Sequence, residues 1–421
     1  MAVEKGRSLA DMLPMVPGAL RPGVQALTFE TLRHLGTARA LAKQLAQRAP
    51  AAPALALLHS ALALLVSDEH AQRYAAHTLV DQAVTAAKQQ RETRMQAGFI
   101  NACLRRFLRE KSALLQRIED DPVARWNHPL WWIERVKADH PDHWQSILSA
   151  SNDPGPMVLR VNRRHVRRDI YRERLAAQGI DARALGEDGL VLASPVAVDR
   201  LPGFDQGDCS VQDGSAQLAA ELMWKDRIEI DLERVLDSCA APGGKTAHLL
   251  EWADANVLAL DVDPQRCQRI HDNLQRLGLR AEVKAADAAQ PAIWWDGERF
   301  DAILLDAPCT ASGIVRRHPD VRWLRRASDV SQLAATQHKL LEALWPLLKP
   351  GGRLVYATCS VFRTEGSAQV QAFLTRHIDA IERPSPGHLR PGCAPVGGQF
   401  NDNVDSGYDG FFYACLDKAL P

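Results

Sequence analysis

The chain has 421 residues, of which 46% are apolar, and its 51 basic side chains balance its 51 acidic ones. That length exceeds one ordinary core and predicts two or three domains of roughly 100–200 residues each, while zero net charge excludes a globally basic polyanion-coating protein and leaves any basic surface local. The eight cysteines, at 103, 209, 239, 267, 309, 359, 393 and 415, show none of the close pairing of a zinc knuckle or redox motif; no metal site and no disulfide framework is expected, and a reducing cytoplasm is.

Residues 1–140 read as helical throughout. Leu55, Leu58, Leu62 and Leu65 form one apolar stripe, and the longest apolar run, Pro53 to Val66, contains His59 and Ser60. It falls short of the ~20 residues needed to cross a bilayer and reads as a buried helix, so no membrane partner is expected. Over 1–140, 19 Lys and Arg face 13 Asp and Glu, a local surplus that suits a polyanion. A later helix, Phe99 to Glu110, carries Ile100, Cys103, Leu104 and Phe107 on its apolar side. Arg105 and Arg106 point elsewhere, either as a solvated face or as phosphate contacts.

The turn cluster Asn152-Asp153-Pro154-Gly155-Pro156 ends the helical pattern. Short strands from Met157 to Asn162 and from Gly189 to Ala193 flank a helical stretch, Asp169 to Ala177, which predicts a small α+β connector reaching about residue 224. Beyond it, apolar strands alternate with helices: Arg234 to Leu236, Asn256 to Leu260, Ala281 to Lys284, Phe300 to Leu305 and Arg353 to Ala357. Such alternation predicts a Rossmann-like, doubly wound parallel sheet whose ligand sites lie at the carboxyl ends of its strands. The expected division is 1–140 helical bundle, 141–224 connector and 225–421 catalytic domain.

The first of these strands runs into Cys239-Ala240-Ala241-Pro242-Gly243-Gly244-Lys245-Thr246 and a helix follows at once. Glycines and small residues let a ligand approach the backbone, and a helix N-terminus offers unpaired N–H groups. Gly244-Lys245-Thr246 copies the end of a phosphate-binding loop, but the glycine that opens such a loop is here Cys239. Asp261 closes the second strand 17 residues after Gly244, where it can accept hydrogen bonds from both ribose hydroxyls of a nucleoside ligand. Asp287, after the third strand, suits the adenine end.

The fourth strand ends in Asp306-Ala307-Pro308-Cys309 and the fifth in Thr358-Cys359-Ser360, so a parallel sheet brings two thiols into one cleft. A thiolate that adds to carbon 6 of cytosine makes carbon 5 nucleophilic, and a second base must then remove the carbon 5 proton. The thiolate requires a nearby cation or proton acceptor, for which Lys245 is the candidate. Asp306 can bond the N3 and N4 edge of the base. These physical grounds do not decide which cysteine attacks.

Leu236-Asp237-Ser238 with the loop 239–246, then Asp306 to Cys309, Tyr356 to Ser360 and Asp409-Gly410-Phe411-Phe412, resemble the motifs of the RNA cytosine-C5 methyltransferase family. The resemblance implies S-adenosylmethionine as methyl donor, Cys359 as nucleophile and Cys309 as its partner. It also implies a cofactor site of residues 239–245 with Asp261, Asp287 and Asp306. Upstream, His77 to Val84, Phe99-Ile100-Asn101 and Leu104 to Phe107 resemble the helical RNA-binding domain of the NusB antitermination factor. Arg160-Val161-Asn162, Leu201 to Phe204 and Val211-Gln212-Asp213 extend the resemblance through the connector.

That combination implies the bacterial branch that methylates 16S ribosomal RNA, naked or in a partly assembled small subunit, as a cytoplasmic monomer. A transfer-RNA methyltransferase would share every catalytic motif, and a scaffolding assembly factor would not need the thiols. Little sequence precedes Leu9, so a shortened first helix is expected, and Tyr408 stands where the family often has Gly before Asp. After Cys309, the residues Arg316, Arg317, His318, Pro319, Arg322 and Trp323 are expected in a loop beside the cleft, either with the cations on phosphates and Trp323 stacked on an unpaired base or as a basic loop packed against its own domain. The pairs Trp131-Trp132 and Trp294-Trp295 read as packing residues. His140 and His143 lack further nearby ligands for a metal.

Overall fold

The computed structural model describes residues 2–46, 48–67, 75–224, 234–396, 399–402 and 407–421, and the chain divides into two compact units. The first is Met1–Pro154 with Val315–Ala327. Its principal helices are Arg21–Arg33, Leu35–Leu45, Ala52–Val66, Ala76–Gln89 and Ala97–Arg117. The apolar run read as a buried helix is one: Pro53 sits in its first turn, where a missing N–H costs nothing, and Leu58, Leu62 and Leu65 are buried with Ile100, Leu104 and Phe107. The first α-helix, Leu9–Met12, has four residues and is capped by the Ser8 hydroxyl, which accepts from Ala10 N. Helices Leu130–Asp139 and Trp144–Ala150 also belong to this unit, which runs past residue 140 to Pro154.

The second unit is Gly155–Ile314 with Ser328–Pro421. Its connector contains β1 (Val158–Val161), β2 (Ala182–Leu185), β3 (Gly189–Leu192) and β4 (Cys209–Val211), an antiparallel sheet of order β2-β3-β1-β4. Helix Arg168–Ala177 buries Tyr171 and Leu175 against Leu159, Val161 and Leu190. The expected start of the catalytic domain at 225 falls in a stretch, 225–233, that lies outside the described residues.

The large sheet contains β5 (Arg234–Ser238), β6 (Asn256–Asp261), β7 (Glu282–Ala285), β8 (Phe300–Asp306), β9 (Leu348–Thr358), β10 (Ala380–Leu389) and, after the hairpin β11 (Cys393–Val396) with β12 (Gln399–Asp402), β13 (Phe411–Lys418). Its order is β10-β13-β9-β8-β5-β6-β7. The five expected strands are parallel, and β10 and β13 add an antiparallel edge that the sequence reading lacks. Successive residues point to opposite faces, so Val235, Ala259, Leu304 and Val355 enter one apolar cluster while Leu236, Leu260, Leu305 and Tyr356 enter another. Helices cover both, which is why these strands are apolar at nearly every position.

Candidate active site

At the carboxyl end of β5 the chain turns through Cys239, with φ 64°, and Gly243, with φ 92°, before helix Gly244–Trp252 begins. A side chain at Gly243 would meet Ile270 at 3.0 Å in a backbone conformation that disfavours any Cβ. The loop is pinned to β6 by Ala240 N, which donates to Leu260 O at 2.7 Å. Asp261 is 2% exposed; its carboxylate accepts from Ala241 N at 3.2 Å and Asp263 N at 3.1 Å. The exposed Arg266 reaches across to it at 3.3 Å and donates to Ala241 O. Asp287 is a turn residue here, accepting from Ala289 N and the Gln290 amide.

Deeper in, Asp237 accepts from Thr246 Oγ1 at 2.6 Å while its Oδ1 is buried with no partner among the described residues. Burial pushes this carboxyl up to about 7. Burial first, then the carboxylates of Asp306, Asp261 and Asp237, raise the Cys239 thiol. Bare backbone, a helix N-terminus and buried acceptors that are not fully satisfied together fit a polar nucleoside ligand bearing an amino acid. From the connector, Arg160 Nη1 donates to Gly244 O at 2.6 Å, and its other nitrogens form a buried bidentate pair with Glu251.

Strands β8 and β9 are adjacent, and their ends place Cys309 Sγ 3.3 Å from Cys359 Sγ. The Cys309 thiol is raised well above its ordinary range, first by its hydrogen bond with Cys359, then by burial and by the charges of Cys359 and Glu365. Lys245 Nζ donates to Asp306 Oδ2 at 2.6 Å and lies 5.4 Å from the centre of the Phe411 ring. Burial depresses this ammonium, but the Asp306 carboxylate and, further off, Cys359 outweigh it and raise the amine. The Asp409-Gly410-Phe411 motif needs its glycine sterically: a Cβ on Gly410 would lie 2.6 Å from Val361 Cγ1 and 2.7 Å from Gly313 Cα, and Gly410 N donates to Gly313 O at 2.9 Å.

Two expected RNA contacts are corrected. Arg316 and Arg322 are both 0% exposed, so neither guanidinium is available to a phosphate. The segment 315–327 belongs to the helical unit, where Arg322 donates to the carbonyls of Asn127 and Ser151 and to the Asn152 side chain. Trp323 is no free stacking surface either, since Nε1 donates to Leu32 O at 2.8 Å and the Arg39 guanidinium covers its ring. Arg317 is half-buried and His318 exposed. Arg105 is exposed and bonded to Asn101, whereas Arg106 pairs with Glu110 at 3.0 Å. Trp132 and Trp294 are buried and Trp131 and Trp295 half-buried, as packing residues should be.

The sequence gives Arg160 no role beyond the family resemblance and gives none to Glu251, because the two meet only through the connector fold; nor does it single out Glu365, a buried acid beneath the two cysteine loops. A Glu seven residues after an apolar strand end, as Glu365 is after Thr358, is the one local signal available.

Comparison with known proteins finds three matched stretches of the chain. Residues 229–417 match the family described as 16S rRNA methyltransferase RsmB/F, 128–199 the RsmF/B-like ferredoxin-like domain, and 2–109 the NusB family. Ribosomal RNA small subunit methyltransferase B of Pseudomonas syringae pv. tomato is 44% identical over 98% of this chain and 92% of its own length. Its counterpart in Pectobacterium carotovorum is 42% identical, with 99% and 96% covered. The crystal structure of PH0851 superposes with a TM-score of 0.73 at 26% identity, covering 96% of this chain and 91% of that one.

Proposed function

The chain belongs to the 16S rRNA methyltransferase RsmB/F family, an rRNA cytosine-C5 methyltransferase using S-adenosylmethionine, and from that premise we propose which of its residues perform the transfer. Cys359 is the nucleophile and Cys309 the base that completes the reaction. The observation that carries this reading is the 3.3 Å contact of the two thiols at neighbouring strand ends beside the Gly243-Gly244 loop.

Cys309 is in hydrogen-bond contact with Cys359, and that bond, burial and nearby charge raise its proton affinity, which suits it to accept a proton; Cys359 gives up its thiol proton to solvent as it attacks. Cys359 Sγ forms a bond to cytosine C6, and the displaced ring electrons make C5 nucleophilic. Held by residues 239–245 with Asp261 and Asp287, S-adenosylmethionine would supply an electrophilic sulfonium methyl group for C5 to attack, with a neutral thioether as the leaving group. The proton on Cys309 passes to solvent once Cys359 is alkylated, and Cys309 then takes the proton from C5. The C6–S bond breaks, its electrons restore the ring double bond, and Cys359 returns as thiolate.

Asp306, held by Lys245, faces the developing charge on the N3 and N4 edge. Residues 239–245 with Asp261 and Asp287 hold the donor, Asp261 taking the ribose in competition with Arg266. The helical region binds RNA, with Arg105, Arg106, Arg317 and His318 as its phosphate contacts, and the enzyme acts as a cytoplasmic monomer on 16S RNA, free or in a partly assembled subunit. No helix among the described residues is long and apolar enough to cross a membrane.

Cys359→Ala is expected to abolish methyl transfer while leaving donor binding by calorimetry nearly intact. Cys309→Ala is expected to accumulate a covalent protein–RNA adduct, visible as a retarded band on a denaturing gel. An adduct trapped by Cys359→Ala and not by Cys309→Ala would exchange the two roles. Loss of one 5-methylcytosine from 16S RNA in cells lacking the protein tests the substrate.

A further inference from the structure

Glu365 follows β9 in a short 3-10 turn, Arg363–Glu365, and is 0% exposed. Among the described residues its carboxylate is in contact with four donors, none of them a cation. Oε1 accepts from Thr310 N at 2.8 Å and Gln337 Nε2 at 3.3 Å; Oε2 accepts from Thr310 Oγ1 at 2.5 Å and Ser360 Oγ at 2.6 Å. Thr310 is the residue after Cys309, and Ser360 is the residue after Cys359. One buried carboxylate therefore grips both thiol-bearing loops one residue beyond each sulfur.

Further bonds make the grip rigid. Gln337 Nε2 also donates to Pro308 O at 2.9 Å, on the near side of Cys309. The Glu365 carbonyl accepts from Tyr356 OH at 2.8 Å and from Thr358 Oγ1 at 3.3 Å, tying the turn to the strand that delivers Cys359. Ser360 Oγ meets Ser312 Oγ at 2.8 Å, and Ser312 Oγ accepts from Val361 N. Burying an acid without a cation is expensive, and a core position with no chemical duty would be better filled by an apolar residue. What the carboxylate uniquely offers is several acceptor sites on two coplanar oxygens, enough to hold two loops at a set spacing.

We propose that Glu365 is a positioning residue that sets the separation of the Cys309 and Cys359 sulfurs, and so governs thiolate addition and proton removal without touching the base or the methyl donor. The proposal rests on the assignment of those two thiols given above. Its negative charge also adds to the proton affinity of Cys309, in the direction the second step needs. Glu365→Gln keeps the volume but places two donors where acceptors are required, so one loop is released.

The test is steady-state methylation of transcribed 16S RNA by full-length Glu365→Gln, Glu365→Asp and Ser360→Ala, with Cys359→Ala alongside. Glu365→Gln is expected to lose roughly 10- to 100-fold in kcat, while KM for RNA and calorimetric Kd for S-adenosylmethionine stay within about threefold, the range that loss of orientation at a reacting centre produces. Glu365→Asp should recover part of the rate. In a Cys309→Ala background, Glu365→Gln should slow adduct formation by a similar factor. A wild-type kcat, or a rate loss matched by the loss in donor affinity, overturns the proposal. Should Glu365→Gln not fold, Ser360→Ala must show the same split, and a wild-type rate there overturns it. An inert Cys359→Ala beside a fully active Glu365→Gln sinks only the positioning role, whereas an active Cys359→Ala sinks the nucleophile assignment beneath it.

Discussion

Replacing Arg160 by Met should separate the catalytic sheet from its connector energetically while leaving side-chain volume nearly unchanged. Arg160 is 1% exposed and Glu251 is 3% exposed, and they pair through Nε–Oε2 at 2.8 Å and Nη2–Oε1 at 2.7 Å. Nη1 further serves Gln212 Oε1 and Gly244 O, both at 2.6 Å. Arg160→Met leaves the Glu251 carboxylate buried without its cation, a loss of about 3–5 kcal/mol. The two unserved acceptors add about 1 kcal/mol each.

Removing both charges, in Arg160→Met with Glu251→Gln, should restore about 2–3 kcal/mol, because the uncompensated charge is then gone. Urea unfolding of the four proteins of the cycle, followed by circular dichroism, reads this coupling as midpoint shifts. Calorimetry with S-adenosylmethionine should show weaker binding in Arg160→Met, since the carbonyl it releases opens the helix behind Gly243. If Arg160→Met costs under ~1 kcal/mol, or if the double variant is as unstable as the single one, Glu251 is not left as an uncompensated buried charge.

Asp237→Asn should gain stability over the natural protein as pH rises. Burial holds the folded carboxyl at about 7 against an ordinary 3.8, so the unfolded chain ionises first and wild-type stability falls between those values and is level above. The full swing is about 4 kcal/mol at most, and a melting-temperature difference that does not change between pH 5 and pH 8 would refute it. Arg322→Met should lower the melting temperature through the lost bonds to Asn127, Ser151 and Asn152, yet leave the salt dependence of RNA binding unchanged; a shallower salt slope would restore Arg322 as a phosphate contact. Lys245→Met should impair methyl transfer beyond any change in RNA affinity, because Asp306 loses its partner at 2.6 Å, and an unaltered kcat would remove that ion pair from the mechanism. Gly313→Ala should be poorly folded or inactive, since its Cβ would lie 1.9 Å from Gly410 O; a fully active, stable variant would contradict the close approach.

The five parallel strands and the loops that end them were legible because each is a local signal: a run of apolar residues, then small or chemically distinctive ones. The expected ends lie within a few residues of the observed ones, except at β9, which begins earlier at Leu348 through Lys349-Pro350-Gly351-Gly352. Strand β10 was not legible. It holds Pro384 and Pro386, is only partly buried, and forms the sheet's edge with an irregularity between Arg383 and Gly387, where missing donors do no harm. The helical bundle was legible as a class; helices 130–139 and 144–150, beyond the expected bound of 140, lie in the same unit, whose first segment ends at Pro154 within the turn cluster 152–156 that closes the helical pattern in the sequence.

The residues whose chemistry is carried by their own strand end, Cys239 to Lys245, Asp261, Asp306, Cys309 and Cys359, could be found from one dimension, since a parallel sheet sends all its strand ends to one side. Charge in a loop could not be read the same way. Arg316 and Arg322 look like an RNA-facing cluster until the segment 315–327 is seen among helices that lie more than 150 residues earlier, where their guanidiniums are buried. Whether a polar side chain meets solvent, a substrate or a distant carbonyl is set by which segments pack around it, and no local pattern encodes that. The same reason hid Glu365, two of whose partners, Thr310 and Ser360, follow cysteines 50 residues apart.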